Sequence, residues 1–158
     1  MKSVFNIVVI LIPLQFDQLP ELPKEFVKFQ GTWRFIGGEE CGIVLTAQDA
    51  KKEDVTFIIK GTSLVIRHHG ESIGDFTFTV KVGKGRGEIN RKHNSGRHKG
   101  EVCYGIYVFE GDMLKICTAS KLRTDEVADR PNVFSTKKSD EPGEKTGKLL
   151  FVLKREKQ

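Results

Sequence analysis

Between Lys81 and Lys99 the chain concentrates seven cations, Lys81, Lys84, Arg86, Arg91, Lys92, Arg97 and Lys99, against one acid, Glu88. A cluster of one sign at that density can hold phosphate or carboxylate groups through charge-assisted hydrogen bonds. The net charge of the whole chain is +5, so the +6 of this segment leaves the remainder near neutrality at −1. The basicity is local, and so is any partner it implies. Lys84, Arg86, Arg91, Lys92 and Arg97 are the candidate anion-contact residues, for an acidic glycan, a lipid headgroup, an acidic protein or nucleic acid. Nucleic acid is the weakest of these, because no exposed aromatic residues are interleaved to stack bases. The plainer reading is a solvated, charged turn region. Gly83, Gly85 and Gly87 alternate with Lys84 and Arg86, but the terminal Gly-Lys-Ser/Thr of a phosphate loop is absent, and no helix pattern follows.

The other reactive side chains do not assemble into a recognisable catalytic or metal pattern. Adjacent residues on a strand point to opposite faces, so His68 and His69 cannot serve one ion. His93 and His98 flank an Asn-Ser-Gly turn with no carboxylate between them. Cys41, Cys103 and Cys117 lack ligand spacing and read as small packing residues; a hairpin at "FEGDM" would set Cys103 opposite Thr118 or Ala119, not Cys117. There is no Gly-x-Ser-x-Gly elbow and no His-Glu-x-x-His. Glu110 and Asp112 serve the turn, and no inward row holds a carboxylate pair. The expectation is a protein without enzyme activity, cofactor or metal.

The elements that must carry these residues are strands. Alternation in "FQGTWRFI" sets Phe29, Gly31, Trp33 and Phe35 on one face, and "DFTFTVKV" does the same for Phe76, Phe78, Val80 and Val82. Further strands are expected over Val55–Lys60, Ser63–His68, Gly87–Arg91, Glu101–Phe109, Met113–Ala119, Asn132–Lys137 and Gly147–Arg155. The connectors "KGTS", "HGES", "GKGRG", "HNSG" and "EGDM" carry turn chemistry, and "TAQDAKKED" is the one helical signal inside the domain. About nine short strands with tight turns describe an all-β, antiparallel barrel with at most one short helix. Eleven phenylalanines against one tryptophan and two tyrosines supply large apolar area with no polar atom to satisfy, which belongs inside.

In the last strand, Leu149, Phe151, Leu153 and Arg155 share a face, and an arginine ending an apolar row needs a partner. Trp33 on the first strand supplies one, since a guanidinium stacked on an indole covers it while keeping its donors free. Gly31, Trp33 and Arg155 are therefore the candidate barrel closure. This Gly-x-Trp opening with a closing arginine resembles the lipocalin-type (calycin) signature. "FQGTW", "IIKGTSLVI", "YGIYVFEGDMLKIC", "RPNVFSTK" and "LKREK", in that order between Lys28 and Lys157, are together similar to an uncharacterised lipocalin-like domain abundant in Planctomycetes. The resemblance implies a bacterial, often exported, lipocalin-like barrel with no established activity. The basic Lys81–Lys99 segment departs from it.

An eight-stranded barrel has an interior just wide enough for side chains or one small ligand. Phe35, Phe57, Phe76, Phe78 and Phe151 either line a pocket for an apolar or amphiphilic molecule or simply fill the core. The domain is expected over 28–158, behind a leader and Pro-containing linker over 1–27. Lys2 and the apolar run Val4–Leu14 match the first two regions of a secretory signal, but no small-residue cleavage site follows. That run is too short to span a bilayer. A secreted or cell-envelope location is expected, with the cytoplasm as the alternative. The leading functional reading is a binding barrel; the other is a filled barrel that meets a protein or acidic glycan through its basic loops. Ligand identity and oligomeric state are not legible.

Overall fold

The computed structural model describes residues 22–119, 129–136 and 147–157; the apolar run Val4–Leu14 lies outside them. The elements in chain order are α1 (Lys24–Val27), β1 (Gly31–Glu40), β2 (Ile43–Leu45), α2 (Ala47–Glu53), β3 (Val55–Lys60), β4 (Ser63–His68), β5 (Glu71–Lys81), β6 (Gly87–His93), β7 (Val102–Glu110), β8 (Met113–Ala119) and β9 (Lys148–Arg155). Successive strands from β3 to β9 pair antiparallel, β3 pairs with β1, and β9 returns to β1. The result is a closed antiparallel eight-stranded barrel of lipocalin-like form, with β2 as an extra strand beside β1. Closure leaves no open edge on those eight strands.

One barrel end, the floor, carries α1 and the turns at Gly61–Thr62, 82–86 and Gly111–Asp112. The opposite end, the rim, carries α2, the Gly70 turn, the 94–101 loop and the adjoining ends of β8 and β9. β1 serves three neighbours because it bends. Its first half pairs with β3 and its last three residues with β2, while β9 runs along its other side. The bend is a β-bulge between Phe35 and Gly37. There Gly38 lies so close to β9 that an added Cβ would stand 2.0 Å from the Leu150 carbonyl oxygen.

Three features differ from the sequence reading. Residues 132–136, expected as a strand, form bends over 132–134 and irregular chain at 135–136, with no ladder partner; Lys137 lies outside the described residues. Their polar groups are taken by side chains instead. Glu39 Oε1 accepts from Ser135 Oγ at 3.0 Å and from Thr136 Oγ1 at 2.8 Å, and Arg86 donates to the Asn132 carbonyl. The segment lies against the outside of β7–β8 near Cys117, whose Sγ is 4.0 Å from the Ser135 carbonyl oxygen. Secondly, α1 forms where a linker was expected, and Phe26 packs its ring 5.2 Å from Phe78, inside the floor. Thirdly, the two-residue turn Gly111–Asp112 sets Tyr104 opposite Ala119, so Cys103 pairs with neither Thr118 nor Ala119. Cys103 and Cys117 sit on opposite faces of the sheet, and all three cysteines are free thiols.

Candidate functional site

The barrel's floor is built from both termini of the domain. Trp33 and Arg155 are directly opposed in the β1–β9 ladder, and the guanidinium carbon lies 4.1 Å from the indole centre. The Trp33 Nε1–H donates to the Phe29 carbonyl at 2.7 Å. Arg155 donates from Nη2 to the Lys28 carbonyl at 2.6 Å and from Nη1 to the Gln30 carbonyl, so it also ties down the turn between α1 and β1. Gly31 is required there: its φ is +113°, and an added Cβ would stand 3.3 Å from Arg155 Nη1. Above this plug, Phe29, Trp33, Phe57, Leu64, Phe78, Leu114 and Leu153 are at most 1% exposed. Phe26 and Tyr107, also at the floor, keep 9% and 7% exposure, and Phe109 beside them is partly buried.

The rim half holds the other interior side chains. Phe35, Ile66 and Phe76 keep 6–7% exposure, and Phe151 and Leu149 are only half-buried. The sequence-derived lining therefore splits. Phe78 stacks on Phe26 and Phe29 in the floor; Phe57 is sealed beneath Phe151, ring centres 5.1 Å apart. Phe35, Phe76 and Phe151 form the upper ring of the interior, with Phe35 and Phe151 meeting edge to face at 6.0 Å.

Arg91 stands in the middle of that upper ring. Alternation along β6 puts Gly87, Ile89, Arg91 and His93 on the concave face, and Arg91 is only 5% exposed. Its guanidinium carbon is 5.0 Å from the Phe76 ring centre and 5.9 Å from that of Phe151. Nη2 donates to Thr118 Oγ1 on β8, two strands along the sheet, at 3.0 Å, while Nε has no partner among the described residues. No acidic side chain is paired with Arg91 among the described residues. Burial lowers its pKa, yet a guanidinium stays charged at neutral pH. Cys103, its cross-strand neighbour, is held up by burial and pulled down by that cation. His93 sits 3.6 Å from the Cys103 sulfur, and burial, followed by Arg91 and His98, depresses its pKa. Cys117, buried on the outer face, is pushed up to about 11 and remains a thiol.

The five basic residues assigned to one anion-contact loop are not brought together. Lys84 and Arg86 sit in the floor-side turn, Lys92 faces outward on β6, Arg97 lies in the rim loop, and Arg91 is inside. Strand β6 itself is the divider. Arg130 is likewise structural: it donates to the Gly105 carbonyl at 2.6 Å and to Asn90 Oδ1 at 2.7 Å, pinning its segment to β6–β7. Among the described residues, no three His, Cys, Asp or Glu converge as metal ligands. No helix among them is long and apolar enough to cross a membrane.

Sequence reasoning missed Arg91 as an interior group, together with Thr118, Cys103 and His93 around it. A signal was present, since Arg91 lies two residues from Ile89 on an expected strand, which forces a shared face. No protein-family model, curated protein or solved structure matches this chain.

Proposed function

We propose that this protein is a non-catalytic, lipocalin-like binding module of the type abundant in Planctomycetes, taking one small apolar or amphiphilic molecule into the barrel from the rim. The supporting observation is the placement of a polar group inside an apolar ring of the barrel interior. Arg91 is 5% exposed beside the Phe76 and Phe151 rings, and its Nε–H has no partner among the described residues, which is more than a core filled for packing alone would call for. Binding sites of this kind are apolar concavities with a few placed polar groups. The upper ring supplies the first, and Arg91, Thr118 and His93 the second. Export to the cell envelope or exterior belongs to the same reading and rests on the Lys2 and Val4–Leu14 pattern.

The test is a titration of the native protein with an environment-sensitive apolar fluorophore, followed by displacement with a panel of fatty acids and fatty alcohols. Saturable uptake at one site per chain, competed by the panel, is the expected result. Absence of any uptake by the native protein would dismiss the binding reading and leave a filled barrel.

A further inference from the structure

Among the described residues, Arg91 is the one whose side chain keeps a buried donor without a partner. An ionised group removed from water is costly unless it is paired, and replacing such a group by an apolar residue of similar volume is often neutral or stabilising. Among the described residues, Arg91 receives one neutral hydroxyl and two aromatic faces, its Nε–H is orphaned, and no carboxylate answers it. The two-residue alternation of β6 and the closure of the sheet place it inward, 5% exposed, beside the Phe76 and Phe151 rings. Thr118 Oγ1 accepts from Nη2 and retains its own hydrogen for another acceptor.

We infer that Arg91 is the head-group anchor of the barrel, and that the bound molecule carries a single carboxylate set against the Nε edge of the guanidinium and the Thr118 hydroxyl, with its apolar body among Phe35, Phe76 and Phe151. This rests on the binding reading above and narrows it. The planar fork of a guanidinium matches the two oxygens of a carboxylate. Among the described residues Arg91 is the single buried cation, and one cation balances one negative charge and not two, which favours a carboxylate over a phosphate monoester. Desolvated by the surrounding rings, that pairing is stronger than a surface ion pair, and it satisfies the donor that the described residues leave unmet.

The experiment compares decanoate, decanol and decyl phosphate, which share a ten-carbon chain, by displacement of the fluorophore from the native protein and from Arg91→Met. In the native protein, decanoate is expected to bind about ten- to a hundred-fold more tightly than decanol, the range for gaining a charge-assisted hydrogen-bonded pair. Decyl phosphate should be weaker than decanoate. In Arg91→Met, decanoate should fall to the level of decanol while decanol is held. The melting temperature of the unliganded variant should equal or exceed that of the native protein. Equal binding of decanoate and decanol by the native protein, or an acid preference that survives Arg91→Met, overturns the anchor while leaving the binding barrel intact. Tighter decyl phosphate overturns the carboxylate assignment. A fall of several degrees in the melting temperature of Arg91→Met makes the residue a packing element and also overturns it. Binding of neither decanoate nor decanol removes the barrel reading and the anchor together. The comparison within the native protein stands whether or not the variant folds.

Discussion

Trp33 and Arg155 form a cap whose two members contribute unequally. The indole is 1% exposed and buries a large apolar surface, so Trp33→Ala both loses that burial and leaves a cavity. The expected cost is roughly 3–5 kcal/mol, read as a drop in the denaturation midpoint. Arg155 is exposed at the floor and acts by stacking and by its bonds to the Lys28 and Gln30 carbonyls. Arg155→Met keeps part of the stacking area and loses the bonds, so it should cost less, about 1–3 kcal/mol. If Arg155→Met proves as damaging as Trp33→Ala, the guanidinium is part of the core and the floor has been misassigned. The same contrast distinguishes Arg155 from Arg91. One arginine is exposed with its donors satisfied; the other is enclosed with a donor idle.

Among the elements, α2 shows how local chemistry supports the rim. Thr46 and Asp49 form a capping box: Asp49 N donates to Thr46 Oγ1 at 3.2 Å, and Thr46 N donates to Asp49 Oδ2 at 2.9 Å. Ala50 is the residue this helix buries, and it ends at Asp54, which adopts φ +44° and accepts from Arg34 Nη1 at 2.7 Å. Arg34 also reaches Glu156 at 2.7 Å, so one surface cation joins α2, β1 and the residue after β9. Thr46→Ala should cost about 1 kcal/mol, and a shift of roughly 2–4 °C in melting temperature would register it. The Thr46 hydroxyl, then the Thr46 amide, hold the Asp49 carboxyl below its ordinary value of 3.8. A depressed carboxylate pKa means that its stabilisation is present above about pH 4 and disappears as pH falls through the lower folded value. Asp49→Asn should therefore be less stable than the native protein at pH 7, and the gap should close in acid. A gap that persists unchanged at acid pH would show that the box does not depend on the carboxylate charge.

For the whole molecule, closure is the decisive property. β9 pairs along both β8 and β1, and among the described residues no other strand pairs with both of them. Removing residues 148–158 would open the barrel, expose the Trp33 side of the floor and leave two unpaired edges. The truncated chain is expected to lose its cooperative thermal transition and to aggregate. A sharp transition at the native temperature in that chain would mean that the remaining seven strands form a self-sufficient sheet.

Much of this architecture was written in short-range patterns. The bounds of β3, β4 and β8 follow from period-2 alternation between Gly-containing turns, because which face a residue takes depends only on its neighbours along the strand. The pairing of Trp33 with Arg155 was legible for a related reason: Arg155 ends the inward row of the last strand, Trp33 lies in that of the first, and closure must bring the two strands together. Residues 132–136 were misread as a strand because alternation records local pattern and not whether a partner backbone is present; Glu39 and Arg86, distant in sequence, capture their polar groups. Arg91 shows the other limit. The sequence by itself determined that it shares a face with Ile89, but a basic run reads as a solvated surface. Only the tertiary structure, by curling the sheet so that this face is concave and bringing Thr118 and Phe151 across to meet it, decided that the charge lies inside. Enclosure depends on residues far along the chain, and no local window contains them.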